Sequence, residues 1–118
     1  WGHAKDYVIS MWKILQYKKP DDWIVANNKE QTVKEFIEKV SKKLKIDLKW
    51  SGNGLKEKGI DKKTGKVIID INPKFFRPSE VDYLKGDYSK AKKYLKWKPS
   101  ISTSKLVDEM IETEISKY

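Results

Sequence analysis

Arg77 is the only arginine among 26 basic residues, and it stands in the run Phe75-Phe76-Arg77-Pro78-Ser79-Glu80-Val81-Asp82. A guanidinium offers five donors in a rigid planar fork that meets phosphate or carboxylate oxygens two at a time, whereas lysine is a flexible point charge. Pro78 restricts the backbone beside it, and the carboxylate of Glu80 follows three residues after the arginine. A cation and a carboxylate so placed suit a ligand that carries both phosphate and sugar hydroxyls. The octapeptide equally admits a structural ion pair on a loop, Arg77 with Glu80 or with Asp82.

Other candidates for chemistry read more plainly. Tyr88-x-x-x-Lys92 and Tyr94-x-x-x-Lys98 match the tyrosine/lysine pair of short-chain dehydrogenases, but in so lysine-rich a chain such matches arise by chance. The pair also needs a helix beside a bound nicotinamide. Glu35 with Glu38, and Asp108 and Glu109 with Glu112, fall on helical stretches among lysines and read as solvated faces. His3 and Asp6 read as a turn and helix cap rather than an acid/base pair. Lys56, Lys58, Lys62, Lys63 and Lys66 could meet a diphosphate, although a flexible solvated loop accounts for them as well.

The elements that must position these residues follow from periodicity. Tyr7, Val8, Met11, Trp12 and Leu15 recur at helical spacing up to the stop at Pro20, which predicts a helix over residues 5–17. Trp23-Ile24-Val25-Ala26 predicts a buried strand ending at Asn27-Asn28. Thr32 and Glu35 have the spacing of a capping box ahead of the apolar stripe Val33, Phe36, Ile37, Val40 and Leu44. Ile46, Leu48 and Trp50 alternate as in a half-buried strand, broken at Ser51-Gly52-Asn53-Gly54, and Val67, Ile69 and Ile71 form a second alternation. Asp87 is placed to cap a short helix through Ala91 to Leu95, and Ser102 to cap a last helix with Leu106, Val107, Met110, Ile111 and Ile115 inward. Trp12, Trp23, Trp50 and Trp97 take core positions. The class is mixed α/β (α+β), and no glycine-rich strand-to-helix turn of the Rossmann type is present to cradle a dinucleotide.

Composition bounds the rest. The 118 residues suffice for one domain, residues 1–118, with a modest core, and 38% hydrophobic residues argue against disorder despite 36% charged. Without cysteine and with a single histidine, disulfides and thiolate or histidine-rich metal sites drop out. No apolar run is long enough to span a bilayer and no signal peptide stands at the start, so the chain reads as soluble and cytoplasmic. The net charge of +9 raises nucleic acid or another polyanion as a partner, but the lysines are spread along the whole chain and arginine is nearly absent, which disfavours a base-reading surface. The start at Trp1 reads as a cut through a longer protein.

Taken together, Trp1-Gly2-His3-Ala4-Lys5-Asp6-Tyr7-Val8, Lys19-Pro20-Asp21-Asp22, Glu57-Lys58-Gly59-Ile60-Asp61, the arginine octapeptide, Gly86-Asp87-Tyr88-Ser89-Lys90-Ala91 and Trp97-Lys98-Pro99 resemble the GDP-mannose 4,6-dehydratase family, within the extended short-chain dehydrogenase/reductase superfamily. The resemblance runs from Trp1 to about Ile115 and corresponds to the carboxy-terminal, substrate-binding domain of that family. Three departures stand out: Asn27-Asn28 in place of a glycine-containing turn, Ile60 where an aromatic is common, and Lys96 where glycine precedes the tryptophan.

The resemblance implies an intact enzyme that converts GDP-mannose to GDP-4-keto-6-deoxymannose, on the route to GDP-fucose. Tightly held NADP takes hydride from C4, water leaves across C5 and C6, and the hydride returns to C6. It also implies that the glycine motif, the catalytic residues and the cofactor site lie in an amino-terminal Rossmann domain outside this chain. The fragment alone is then inactive, and the intact enzyme is a homo-oligomer. Of the family's binding residues, Arg77 would take the nucleotide diphosphate and Glu80 the ribose. The alternatives are a stand-alone polyanion-binding module and a domain of another GDP-sugar epimerase or reductase.

Overall fold

Four α-helices and three strands make up the regular structure in the described residues of the computed structural model, 1–77 and 84–118. They bear out the mixed helix-and-sheet class. These residues form two compact units, one of residues 1–32 with 84–118, the other of residues 33–77.

In the first unit, helix α1 spans Ala4–Leu15 and is opened by His3, whose Nδ1 accepts the Lys5 amide at 3.1 Å. Its helical period is as predicted, but its phase is not. Val8, Met11, Trp12 and Leu15 are 60–79% exposed, while Asp6 and Ser10 are almost fully buried. The inward stripe is Asp6, Tyr7, Ser10, Lys13 and Ile14, again at helical spacing. Tyr7 and Ile14 pack on the core of Ala91, Leu95 and Trp97, and Lys13 Nζ donates to the carbonyls of Leu95 and Lys96 at 3.1 and 3.0 Å. Trp12 is therefore not a core residue, because hydrogen bonds rather than apolar area fix which side of α1 faces in.

Helix α3 (Ser89–Tyr94) begins after Asp87, whose carboxylate accepts the Ser89 amide and hydroxyl at 2.8 and 2.6 Å. Helix α4 (Thr103–Ile115) is capped as predicted by Ser102, which accepts the Lys105 amide. Val107 is fully buried and Leu106 and Ile111 half-buried, but Met110 and Ile115 are exposed, so the inward stripe is narrower than the sequence suggested. The predicted strand at Trp23–Ala26 is corrected too. This stretch forms no strand, because a strand needs a partner's backbone and all three strands lie in the other unit. Trp23 and Val25 pack on the core while Ile24 is 56% exposed.

Two lysines occupy left-handed backbone just past helix ends. Lys96, with φ of 52°, follows α3, and Lys45, with φ of 57°, follows helix α2 (Val33–Lys43). At Lys45 the paired bonds from the Ile46 amide to Ser41 and from the Lys45 amide to Lys42 form a Schellman motif. A Cβ opposes this conformation. Lys96→Gly is expected to raise stability by about 0.5–1 kcal/mol, net of the extra freedom glycine gives the unfolded chain. Urea titration of the two proteins checks it; no gain would mean that the Lys96 side chain contributes an equal stabilisation.

In the second unit, α2 follows directly on Thr32, and strands β1 (Leu48–Ser51), β2 (Lys58–Asp61) and β3 (Val67–Asp70) form an antiparallel sheet in that order. β2 replaces the flexible lysine loop expected there. It went unread because its buried position is a glycine: Gly59 pairs with Trp50 on one side and Ile69 on the other. A Cβ on Gly59 would stand 2.9 Å from Ile69 Cβ and 3.1 Å from Leu48 Cδ1, so the absent side chain lets its neighbours close over the central strand. Helix α2 is tied to the sheet by Lys34, which pairs with Glu57 at 2.5 Å and lies 4.7 Å above the Trp50 ring, and by Glu38, which accepts the Trp50 indole N–H at 2.9 Å.

Candidate functional site

The segment leading to Arg77 is stiff. Asn72 accepts the Lys74 amide through its side chain at 3.0 Å, Pro73 fixes the next residue, and a 3-10 turn over Pro73–Phe75 closes with the Phe75 amide on Asn72 and the Phe76 amide on Pro73. Phe76 then continues in extended backbone, with φ of −67° and ψ of 129°. Arg77 is exposed, and no described carboxylate pairs with it. Its guanidinium is thus presented to solvent on a preorganised arm, with the bidentate fork available to an anion. Glu80 and Asp82, the possible partners read from sequence, lie outside the described residues.

The other candidates have structural partners. Among the loop lysines, Lys62 pairs with Asp47 at 2.9 Å. The turn that follows is organised by Asp61, which accepts the Thr64 hydroxyl at 2.7 Å and the Lys63 amide at 3.0 Å. The Thr64 hydroxyl is the main reason that the Asp61 carboxyl is held below its ordinary range, with the Lys63 amide next. Tyr88 packs edge-on against Trp97 with ring centres 5.9 Å apart, and Tyr94 meets Trp23 at 6.4 Å.

His3 and Asp6 do not form an acid/base pair. His3 Nε2 lies 2.8 Å from Glu109 Oε2, a contact across 106 residues, in the wall of a cavity of about 240 Å³ that Leu106, Met110 and Thr113 also line. Glu109 was therefore misread as part of a wholly solvated face; no local signal marks a partner so distant in sequence. Asp6 accepts the Ser100 hydroxyl at 2.6 Å and the Ser100 and Ile101 amides at 3.0 and 2.9 Å, and its main-chain carbonyl accepts the Trp97 indole N–H at 2.9 Å. Burial, the largest single influence, pushes the Asp6 carboxyl up, but these three donors, led by the Ser100 hydroxyl, together hold it below its ordinary value. Among the described residues no group of three or more histidine, cysteine or carboxylate side chains converges to hold a metal, and no helix is long and apolar enough to cross a membrane.

A family model described as GDP-mannose 4,6 dehydratase matches residues 1–110. Over 115 residues the chain is 47% identical to the GDP-mannose 4,6 dehydratase of Dictyostelium discoideum, with 98% of this chain and 32% of that one covered. The Homo sapiens protein of that name is 43% identical, with 98% and 31% covered. The GDP-mannose 4,6-dehydratase of Sinorhizobium fredii is 38% identical, with 98% and 33% covered. The chain thus spans about a third of the length of these curated relatives. With nearly the whole chain matched by both comparisons, it belongs to the GDP-mannose 4,6-dehydratase family.

Proposed function

We propose that the chain is the nucleotide-sugar-binding portion of a GDP-mannose 4,6-dehydratase of the extended short-chain dehydrogenase/reductase superfamily, acting in the cytoplasm as part of a homo-oligomer. The observation that carries this reading is the exposed, rigidly presented Arg77 in a chain of that family. Arg77 grips the diphosphate of GDP-mannose through two parallel N–H···O bonds, and Glu80 accepts from a ribose hydroxyl. NADP does not fit the residues present. The positive-φ glycines Gly52, Gly54 and Gly65 lie in turns next to the strands, and none opens an α-helix as a dinucleotide-binding turn does. The proposal therefore assigns the cofactor and the hydride chemistry to the remainder of the enzyme, and assigns this chain the holding and orienting of the nucleotide.

In the full-length enzyme, Arg77→Lys is expected to raise the KM for GDP-mannose about tenfold or more. The charge stays but the bidentate geometry goes, a loss of about 1.5–3 kcal/mol per charge-assisted bond. Thermal stability should not move, because Arg77 is exposed. An unchanged KM would sink the assignment.

A further inference from the structure

The residue two places before the arginine is as unusual as the arginine. Phe75 is 72% exposed and Phe76 55%, two large apolar rings in water on a segment whose backbone is pinned by Asn72 and Pro73. In extended backbone, side chains at i and i+2 project to the same side and the one between them to the other. Since Phe76 is extended, Phe75 and Arg77 share a side and Phe76 faces away from both. Their Cα atoms are about 6–7 Å apart at that extension. In a nucleoside diphosphate the base and the diphosphate are likewise held apart by one ribose, so an anion on the guanidinium brings the base within reach of the Phe75 ring.

We propose that Phe75 is the stacking surface for the nucleobase of the bound nucleotide-sugar, an inference that rests on Arg77 taking the diphosphate. A phenyl face in water is a poor neighbour for solvent and a good one for the flat, polarisable face of a purine, and stacking of this kind tolerates any base because every base has a π-face. The 3-10 turn fixes the ring's position before the ligand arrives, so little conformational freedom remains to be lost on binding. Phe75 would then supply affinity for the nucleoside half of the ligand, and Phe76, on the opposite side, none.

The test is the affinity of the full-length enzyme for GDP and for ribose 5-diphosphate, which lacks the base, by calorimetry on wild type, Phe75→Leu, Phe76→Leu and Arg77→Lys. Phe75→Leu keeps apolar bulk and removes the ring face. It is expected to weaken GDP about tenfold and leave ribose 5-diphosphate unchanged, while Phe76→Leu changes neither and Arg77→Lys weakens both. Equal weakening of both ligands by Phe75→Leu, or undiminished GDP affinity, overturns the stacking role while an Arg77→Lys effect leaves the diphosphate assignment standing. If Arg77→Lys changes neither ligand, the diphosphate assignment fails and the stacking role fails with it.

Discussion

Trp97→Ala is expected to destabilise the 118-residue chain by about 4 kcal/mol in urea unfolding followed by circular dichroism. Trp97 is 2% exposed, packs with Ala91 and Leu95, meets Tyr88 edge-on, and hydrogen-bonds the main chain of α1. Truncation removes the largest apolar surface in this core, leaves a cavity beside Tyr88, and releases the tie to Asp6. For a domain of ordinary marginal stability that is a large fraction of the whole. Trp97→Phe separates the contributions: the ring contacts largely remain and the indole N–H is lost, for an expected cost of about 1 kcal/mol plus the smaller ring's lost packing. A loss under about 1 kcal/mol for Trp97→Ala would show that this cluster does not hold the unit together.

Asp6→Ala should cost about 3 kcal/mol, because it leaves the Ser100 and Ile101 amides and the Ser100 hydroxyl without their acceptor at a site only 2% exposed. Asp6→Asn keeps one acceptor oxygen and should lose less. The pH dependence has a definite sign. A carboxyl whose folded-state pKa is depressed binds its proton more weakly folded than unfolded, so its stabilisation is present above the ordinary carboxylate range and lost as pH falls through the depressed value. Acidification from pH 5 towards pH 3 should therefore erode the stability of the natural chain more steeply than that of Asp6→Asn. Equal slopes would contradict the assigned role of the carboxylate.

What could be read from the sequence was whatever is specified locally. The Ser102 cap needs only the amide three residues on, and the alternation of Leu48, Lys49 and Trp50 is the strand's own signature; both appear as expected. The inner face of α1 was missed because Asp6, Ser10 and Lys13 look solvent-facing until Leu95, Lys96, Ser100 and Ile101 arrive from the far end of the chain. Strand β2 was missed for the opposite reason: its key position carries no side chain to count. Arg77 was legible from its rarity alone, and its stiff, exposed setting agrees with the ligand reading, while Glu80 falls outside the described residues.

The pairing of the two ends of the chain also sets an order of events during synthesis. Residues 33–77 close among themselves over short separations, so their sheet can assemble as soon as they leave the ribosome. The first unit cannot. His3 waits for Glu109, Asp6 for Ser100 and Lys13 for Leu95, so α1 emerges first and completes its contacts last. Folding of the intervening residues 33–77 shortens the free loop between the two ends and so reduces the entropy lost on closing it. Until then the nascent chain carries α1 with both of its faces open to water.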